Sequence, residues 1–113
     1  MHELSVTQGI FDIIESEAKK NNVNKVVNVK LKIGQLSGIM PMLIQDYFNI
    51  LTEGTIVEGA ELIIDKVEAS IRCSECNEVS KIDRMKLRCP KCDSIEVKIE
   101  TGKEFYIESM EVE

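Results

Sequence analysis

The arrangement of cysteines restricts the fold of this chain more than any other feature of its sequence. All four cysteines lie in one stretch, in which Cys73 and Cys76 are followed, after twelve residues, by Cys89 and Cys92. Two residues between paired cysteines let a tight turn aim both sulfurs at one point. Two such knuckles facing each other form a tetrahedral site suited to Zn²⁺. The sequence therefore predicts a structural zinc site.

Other uses of the cysteines fit this pattern less well. Two disulfides need an oxidising compartment, and nothing in the sequence resembles an export signal. A redox-active Cys-x-x-Cys normally stands alone beside a βαβ pattern, whereas here a second pair follows. Iron takes the same four thiolates, so ligand type leaves zinc and iron both open. Asn77 and Asp93 stand where rubredoxin-like knuckles usually carry glycine, which favours zinc.

The charge distribution argues against nucleic acid as a partner. Zn²⁺ with four thiolates carries a net charge of −2, and the cations around the knuckles offset it. The chain as a whole is at −6, which repels anionic partners. These cations are Lys81, Arg84, Lys86, Arg88 and Lys91, and the nearby acids are Glu75, Glu78 and Asp83.

Length and hydropathy indicate one small water-soluble domain with a metal module. The 113 residues can form one modest core. No apolar run approaches the roughly 20 residues that a membrane helix needs. We therefore expect a cytoplasmic protein with no membrane partner.

Apolar periodicity predicts an α+β fold. A 3.6-residue stripe indicates a first helix, and a period of two indicates a strand after it. Pro41 suits the first turn of a second helix, and Gly54 suits its end. Two further extended stretches lie before and after the cysteines. The predicted segments are a helix over Leu4–Lys20, a strand over Val27–Ile33, a helix from Pro41, and extended stretches over Ala60–Ile71 and Val97–Val112.

The fold class that follows is two helices packed on a three-stranded sheet. A small four-cysteine zinc module is inserted between the last two strands, which come together like a hairpin whose tip the module replaces. The predicted domains are residues 1–71 plus 95–113 for the α/β part and residues 72–94 for the zinc module.

The N-terminus offers a second metal site. His2 is the only histidine. A free Met1 amine, the His2 backbone nitrogen and its imidazole form adjoining chelate rings, a planar nitrogen set that suits Ni²⁺ or Cu²⁺. Glu3 can add an oxygen or its own backbone nitrogen. The alternative is a frayed terminus with no ligand role.

Four motifs in the same order closely resemble the HypA/HybF family of nickel metallochaperones in NiFe-hydrogenase maturation. The resemblance covers the whole length of the chain. The motifs are Met1-His2-Glu3-Leu4-Ser5, Gly34-Gln35-Leu36-Ser37-Gly38, Glu58-Gly59-Ala60-Glu61-Leu62 and the paired Cys-x-x-Cys.

The resemblance implies a non-enzymatic carrier that binds Ni²⁺ at Met1, His2 and Glu3 and delivers it to the hydrogenase large subunit. It also implies a HypB-type GTPase as partner, urease maturation proteins as partners in some organisms, and a structural zinc at Cys73, Cys76, Cys89 and Cys92. Oligomeric state is left open, with a homodimer as one option.

One departure from the family concerns the ligands of nickel. Some members add a histidine from the zinc module, but this chain has none beyond His2. The fourth ligand is then a backbone nitrogen, Glu3, another carboxylate or water. The rival hypothesis is a zinc-ribbon adaptor that joins proteins or nucleic acid and transports no metal.

Overall fold

In the computed structural model, which describes residues 3–82 and 86–113, the chain forms two helices and two three-stranded sheets. One sheet has the strand order β2-β1-β6 and the other has the order β4-β3-β5. The predicted α+β class, with two helices, a three-stranded sheet and an inserted four-cysteine segment, is confirmed. The elements are α1 (Glu3–Lys20), β1 (Val26–Gly34), α2 (Pro41–Leu51), β2 (Glu61–Val67), β3 (Ser70–Cys73), β4 (Val79–Lys81), β5 (Val97–Thr101) and β6 (Phe105–Val112).

The first helix follows the predicted stripe and buries one face. Its buried residues are spaced three and four apart, as one side of a helix requires. Leu4 and Ile13, which also belong to the stripe in the sequence, are more than half exposed. The helix ends at the predicted place, where Asn22 adopts a φ of 53° and the Val23 N–H bonds to the Ala18 carbonyl at 3.0 Å. The buried residues of α1 are Thr7, Ile10, Phe11, Ile14 and Ala18.

Strand β1 has the alternating burial that its sequence predicts. Val29, Leu31 and Ile33 are buried, while the side chains between them are only partly covered. Hydrogen bonds near its ends show its neighbours: Lys25 pairs with Glu113, and the Gly34 N–H bonds to the Glu104 carbonyl at 2.7 Å. Strand β6 therefore runs antiparallel to β1.

The second helix begins at Pro41, as predicted, since proline suits the first helical position. It buries Ile44 and Phe48 and ends at Leu51, before Gly54. The Thr52 hydroxyl donates to the Phe48 carbonyl at 2.8 Å and satisfies one of the last carbonyls of the helix.

The two predicted extended stretches are each divided into two strands. Residues 60–71 break between β2 and β3, and residues 97–112 break between β5 and β6. At these breaks Gly102 has a φ of 117°, and a Cβ there would lie 2.8 Å from the Cα of Ala69. The Thr101 hydroxyl donates to the Glu68 carbonyl at 2.7 Å. The two breaks therefore lie next to each other in the structure.

The chain divides into two compact units. The helical unit comprises the described residues within Met1–Lys32, Gly38–Asp65 and Tyr106–Glu113. The cysteine unit comprises those within Ile33–Ser37 and Lys66–Phe105. The cysteine unit is larger than the predicted zinc module of residues 72–94. The boundaries of that module stay a prediction. Among the described residues, no helix combines the length and apolar character that a membrane span requires.

Candidate metal centre

The two Cys-x-x-Cys segments fold into knuckles of the same geometry. In the first, the Asn77 N–H bonds to the Cys73 carbonyl at 2.9 Å, and the Cys76 N–H points at the Cys73 sulfur at 3.5 Å. The first knuckle thus turns the chain within five residues and aims a backbone donor at its own first sulfur.

The second knuckle repeats these contacts at the same distances. The Asp93 N–H bonds to the Cys89 carbonyl at 2.9 Å, and the Cys92 N–H points at the Cys89 sulfur at 3.5 Å. The residue after each pair has a positive φ, 63° at Asn77 and 65° at Asp93. Asparagine and aspartate tolerate this left-handed conformation better than other residues with side chains, which explains why they replace glycine here.

The knuckles bring all four sulfur atoms together. These atoms lie within 4.8 Å of one another, with 3.5 Å between Cys73 and Cys92 and 3.6 Å between Cys76 and Cys89. A tetrahedral zinc with sulfurs at about 2.3 Å has sulfur atoms roughly 3.8 Å apart. All four cysteines are free. The cluster therefore fits one tetrahedral metal ion, and its four ligands leave no open position for a substrate.

Burial differs between the two cysteines of each knuckle. Cys73 and Cys89 are buried, with 1% of their surface exposed, whereas Cys76 and Cys92 are exposed. Each knuckle thus contributes one inner and one outer sulfur. The inner position of Cys73 follows from its place at the end of β3, which pairs with β4 on one side and β5 on the other.

The thiol groups differ in acidity for reasons that the geometry supplies. The backbone N–H of Cys76 lowers the pKa of Cys73 to about 7, and the N–H of Cys92 lowers the pKa of Cys89. The Ser94 N–H also lowers the pKa of Cys92, but the neighbouring thiols, Cys73 foremost, together with burial raise it to about 12. Four thiolates this close repel one another, so the set ionises fully only around a cation.

Arg72 supports the first knuckle, a role that no motif in the sequence indicates. Its guanidinium donates two hydrogen bonds to the Glu100 carboxylate, at 2.8 and 3.2 Å, and lies 3.3 Å from the Asn77 side-chain oxygen. A bidentate pair of this kind fixes orientation as well as charge. Arg72 therefore ties the knuckle to β5, and only the strand pairing could have revealed this.

The N-terminal candidates are placed only in part. Met1 and His2 lie outside the described residues. Glu3 begins α1, and its carboxylate accepts a hydrogen bond from the Met40 N–H at 3.3 Å, at the N-terminal end of α2. A carboxylate at the positive end of a helix dipole is stabilised there. Glu3 is therefore the first residue of α1, and its carboxylate contacts the backbone at the start of α2.

Comparison with known proteins gives one consistent result. The family model described as "HypA: Hydrogenase/urease nickel incorporation, metallochaperone, hypA" matches residues 1–112. The "Hydrogenase maturation factor HypA" of Caldanaerobacter subterraneus subsp. tengcongensis is 48% identical over 114 residues, and that of Lawsonia intracellularis is 44% identical over 118 residues. Both alignments cover all of this chain and all of the relative.

Two solved structures share the fold over nearly the whole length. "Solution structure of the Ni metallochaperone HypA from Helicobacter pylori" aligns with a TM-score of 0.69 and 32% identity, covering 99% of this chain and 97% of that one. "Solution structure of HypA protein" aligns with a TM-score of 0.76 and 32% identity, covering 99% and 96%. The similarity thus includes the cysteine knuckles and the start of α1.

Proposed function

Because the chain belongs to the HypA family of hydrogenase maturation metallochaperones, we propose that it binds Ni²⁺ at its N-terminus and delivers the ion to NiFe-hydrogenase. The family consists of maturation factors, and the protein is not an enzyme. The observation that carries the proposal is the match of the family model over residues 1–112, which takes in both predicted metal sites. The proposed cargo is nickel, and the proposed resident ion is zinc.

The nickel site in this proposal consists of the Met1 amine, the nitrogens of His2 and a donor from Glu3. Helix α1 begins at Glu3, so the proposed donors precede or open its first turn, where backbone N–H groups have no intrahelical partner. The Glu3 carboxylate already contacts the Met40 N–H. This contact favours a role for that carboxylate in orienting the terminus. The set of nitrogen donors suits square-planar Ni²⁺.

The four-cysteine cluster takes the structural role. Its sulfur spacing fits a tetrahedral ion, and its closed ligand set favours an ion that stays bound. Zinc is the proposed ion because it has no redox chemistry and its tetrahedral sites in small modules commonly hold the fold together. The cysteine pattern fits a metal site better than the disulfides of an oxidising compartment, which supports the proposed cytoplasmic location.

Delivery in this proposal occurs by ligand exchange. A few nitrogen donors at a chain terminus bind nickel reversibly, and a partner with competing ligands can remove the ion. Copper binds such donors more tightly than nickel, so specificity comes from metal supply and from docking. A role in maturation implies interaction with other maturation proteins. We propose a HypB-type GTPase and the hydrogenase large subunit, with urease maturation proteins as further partners.

Nickel titration of the zinc-loaded protein tests this function. The expected result is about one Ni²⁺ per chain, lost in His2→Ala while the zinc content and the amide spectrum stay unchanged. Gln8→Ala, on the exposed face of α1, is a matched control that keeps nickel binding. Undiminished binding in His2→Ala would overturn the proposed site. Absence of nickel binding in the wild-type protein would favour a zinc-ribbon adaptor instead.

The contribution of the terminal amine is tested separately. Acetylation of Met1 removes one proposed donor without changing any side chain. We expect weaker nickel binding and a changed absorption spectrum for the acetylated protein. An identical affinity and spectrum would remove the amine from the ligand set and leave His2 and Glu3 to be tested alone.

A further inference from the structure

A groove of about 660 Å³ lies on the surface of the cysteine unit beside the second knuckle. Three cations line it: Lys81 from β4, and Lys86 and Arg88 from the segment that leads into Cys89. Its remaining surface includes the apolar side chains of Leu87 and Ile95. The residues that line the groove all belong to the cysteine unit.

The cations of the groove are only weakly engaged within the chain. Arg88 and Asp93 lie 3.5 Å apart with more than half of each side chain exposed, and Lys81 pairs with Glu68 at 2.9 Å on an open surface. Within residues 3–82 and 86–113, Lys86 has no ion-pair partner. Exposed ion pairs of this kind contribute little to stability, so an incoming carboxylate can replace them.

The apolar residues of the groove are unusually open to water. Ile95 is 68% exposed and Leu87 is 53% exposed, although both are large aliphatic side chains. Single exposed apolar residues are common, but here two of them line the same groove as three cations. Apolar side chains surrounded by charged ones are typical of a surface that buries a partner's side chain.

We propose that this groove docks a short acidic segment of a partner protein that carries an aliphatic side chain. Charge complementarity supports this occupant, because three cations and a single carboxylate line the described part of the groove. Nucleic acid fits less well. Among the described residues, no aromatic side chain lines the groove for base stacking.

The metal centre shapes one wall of this groove. Cys89, Pro90 and Asp93 line it, and all three belong to the second knuckle. The conformation of this wall depends on the bond from the Asp93 N–H to the Cys89 carbonyl. Docking is therefore expected only when the four-cysteine site holds its ion, which lets a partner distinguish loaded from unloaded protein.

The test uses the zinc-loaded full chain and a fluorescein-labelled synthetic peptide that alternates glutamate with leucine. We expect saturable binding by fluorescence anisotropy, weakened about tenfold in Lys86→Glu/Arg88→Glu. The control, Lys98→Glu, reverses one positive charge on β5 outside the groove and should leave affinity unchanged. Ile95→Ser, which alters no charge, should also weaken binding. Zinc content is measured in every variant to confirm that the module is folded.

Three comparison probes separate the alternatives. Replacing leucine by serine should weaken binding of the peptide, and replacing glutamate by lysine should abolish it. Oligodeoxythymidylate should bind more weakly than the acidic peptide. The proposal is overturned if the lysine peptide or the oligonucleotide binds as well, if the wild-type chain does not bind the acidic peptide, or if Lys98→Glu has the same effect as the groove variants. His2→Ala should keep full peptide binding, so failure here leaves the nickel proposal untouched.

Discussion

The helical unit and the cysteine unit are stabilised by different means. The helical unit contains most of the buried apolar side chains in the described residues, including Ile14, Leu31, Ile44 and Phe48. Among the described residues of the cysteine unit, the buried apolar side chains apart from two cysteines are Ile33, Ala69 and Ile71. Apolar burial can hold the first unit together, but the second has too small a core to fold without a further source of stability.

The two units also differ in net charge. In sequence, the helical unit carries five Lys and Arg against twelve Asp and Glu, and the cysteine unit carries nine against eight. The excess of negative charge thus lies almost entirely in the unit that contains the proposed nickel terminus. The near-neutral unit is the one in which four thiolates must be accommodated. We therefore expect the stability of the cysteine unit to depend on the proposed ion, and that of the helical unit to depend on its apolar core.

Removal of the proposed zinc is expected to cause the largest difference between the two units. Structural zinc in small modules contributes roughly 10–16 kcal/mol of apparent binding free energy. Chelation, or Cys89→Ser, should therefore unfold the cysteine unit and leave the helical unit folded. Amide NMR spectra would show loss of the dispersed signals of Ser70–Cys73 and Val97–Thr101, with those of α1 retained. Ser74→Ala, inside the first knuckle, is the control, and it should change neither the signals of the cysteine unit nor those of α1. Retention of all signals without metal would contradict the comparison.

Truncation of a core side chain should destabilise the helical unit and leave the cysteine unit folded. Phe48 is 1% exposed in the helical unit, so Phe48→Ala should lower the free energy of unfolding of that unit by about 3–5 kcal/mol. Zinc content and the dispersed signals of β3 and β5 should persist. Ile50→Ala, at a site that is 63% exposed on the same helix, is the matched control with little effect. Loss of zinc in Phe48→Ala would show that the units do not fold independently.

Alanine substitutions at two glycines should change the stability of the protein in opposite directions. A Cβ at Gly34 would lie 2.1 Å from the Gly102 carbonyl oxygen, a backbone atom that cannot move aside. Gly34→Ala should therefore cost about 3 kcal/mol or more. Gly9, within α1, has nothing within 4 Å of such a Cβ, so Gly9→Ala should stabilise the helical unit by about 0.5–1 kcal/mol. Chemical denaturation of both variants checks the signs.

The smallest expected effect concerns an ion pair of the helical unit. Lys32 bonds to the Asp65 carboxylate and holds the pKa of that group below its ordinary value. This contribution to stability is present above the unfolded pKa near 4 and is lost as pH falls through the lower folded pKa. Asp65→Asn should remove this part of the acid sensitivity. Asp46→Asn, at an exposed position of α2, is the control. Equal pH profiles for both variants would contradict the assignment.

Local patterns predicted the helices and the central strand because burial there follows the period of each element. The structure buries Val29, Leu31 and Ile33 in alternation with more exposed residues, as predicted. It also begins α1 and α2 close to the predicted residues. The cysteine spacing predicted the knuckles for a similar reason, since a knuckle is a local turn. In these regions residues close in sequence determine the structure.

Long-range pairing determined what the sequence did not reveal. The break at Gly102 depends on close approach to Ala69, and β4 exists because Ser80 pairs with Ile71. The role of Arg72 depends on Glu100 lying on the adjacent strand. None of these contacts has a signature within a short window. Met1 and His2, the proposed nickel donors, lie outside the described residues, so their role stays a prediction.

The central claim is that one ion holds the cysteine unit folded while a second, different ion is bound by nitrogen donors at the N-terminus. X-ray absorption of protein loaded with both metals tests this claim directly, because each absorption edge reports its own ligands. We expect four sulfur ligands at the zinc edge and only nitrogen and oxygen ligands at the nickel edge. Sulfur at the nickel edge, or fewer than four sulfurs around zinc, would contradict it.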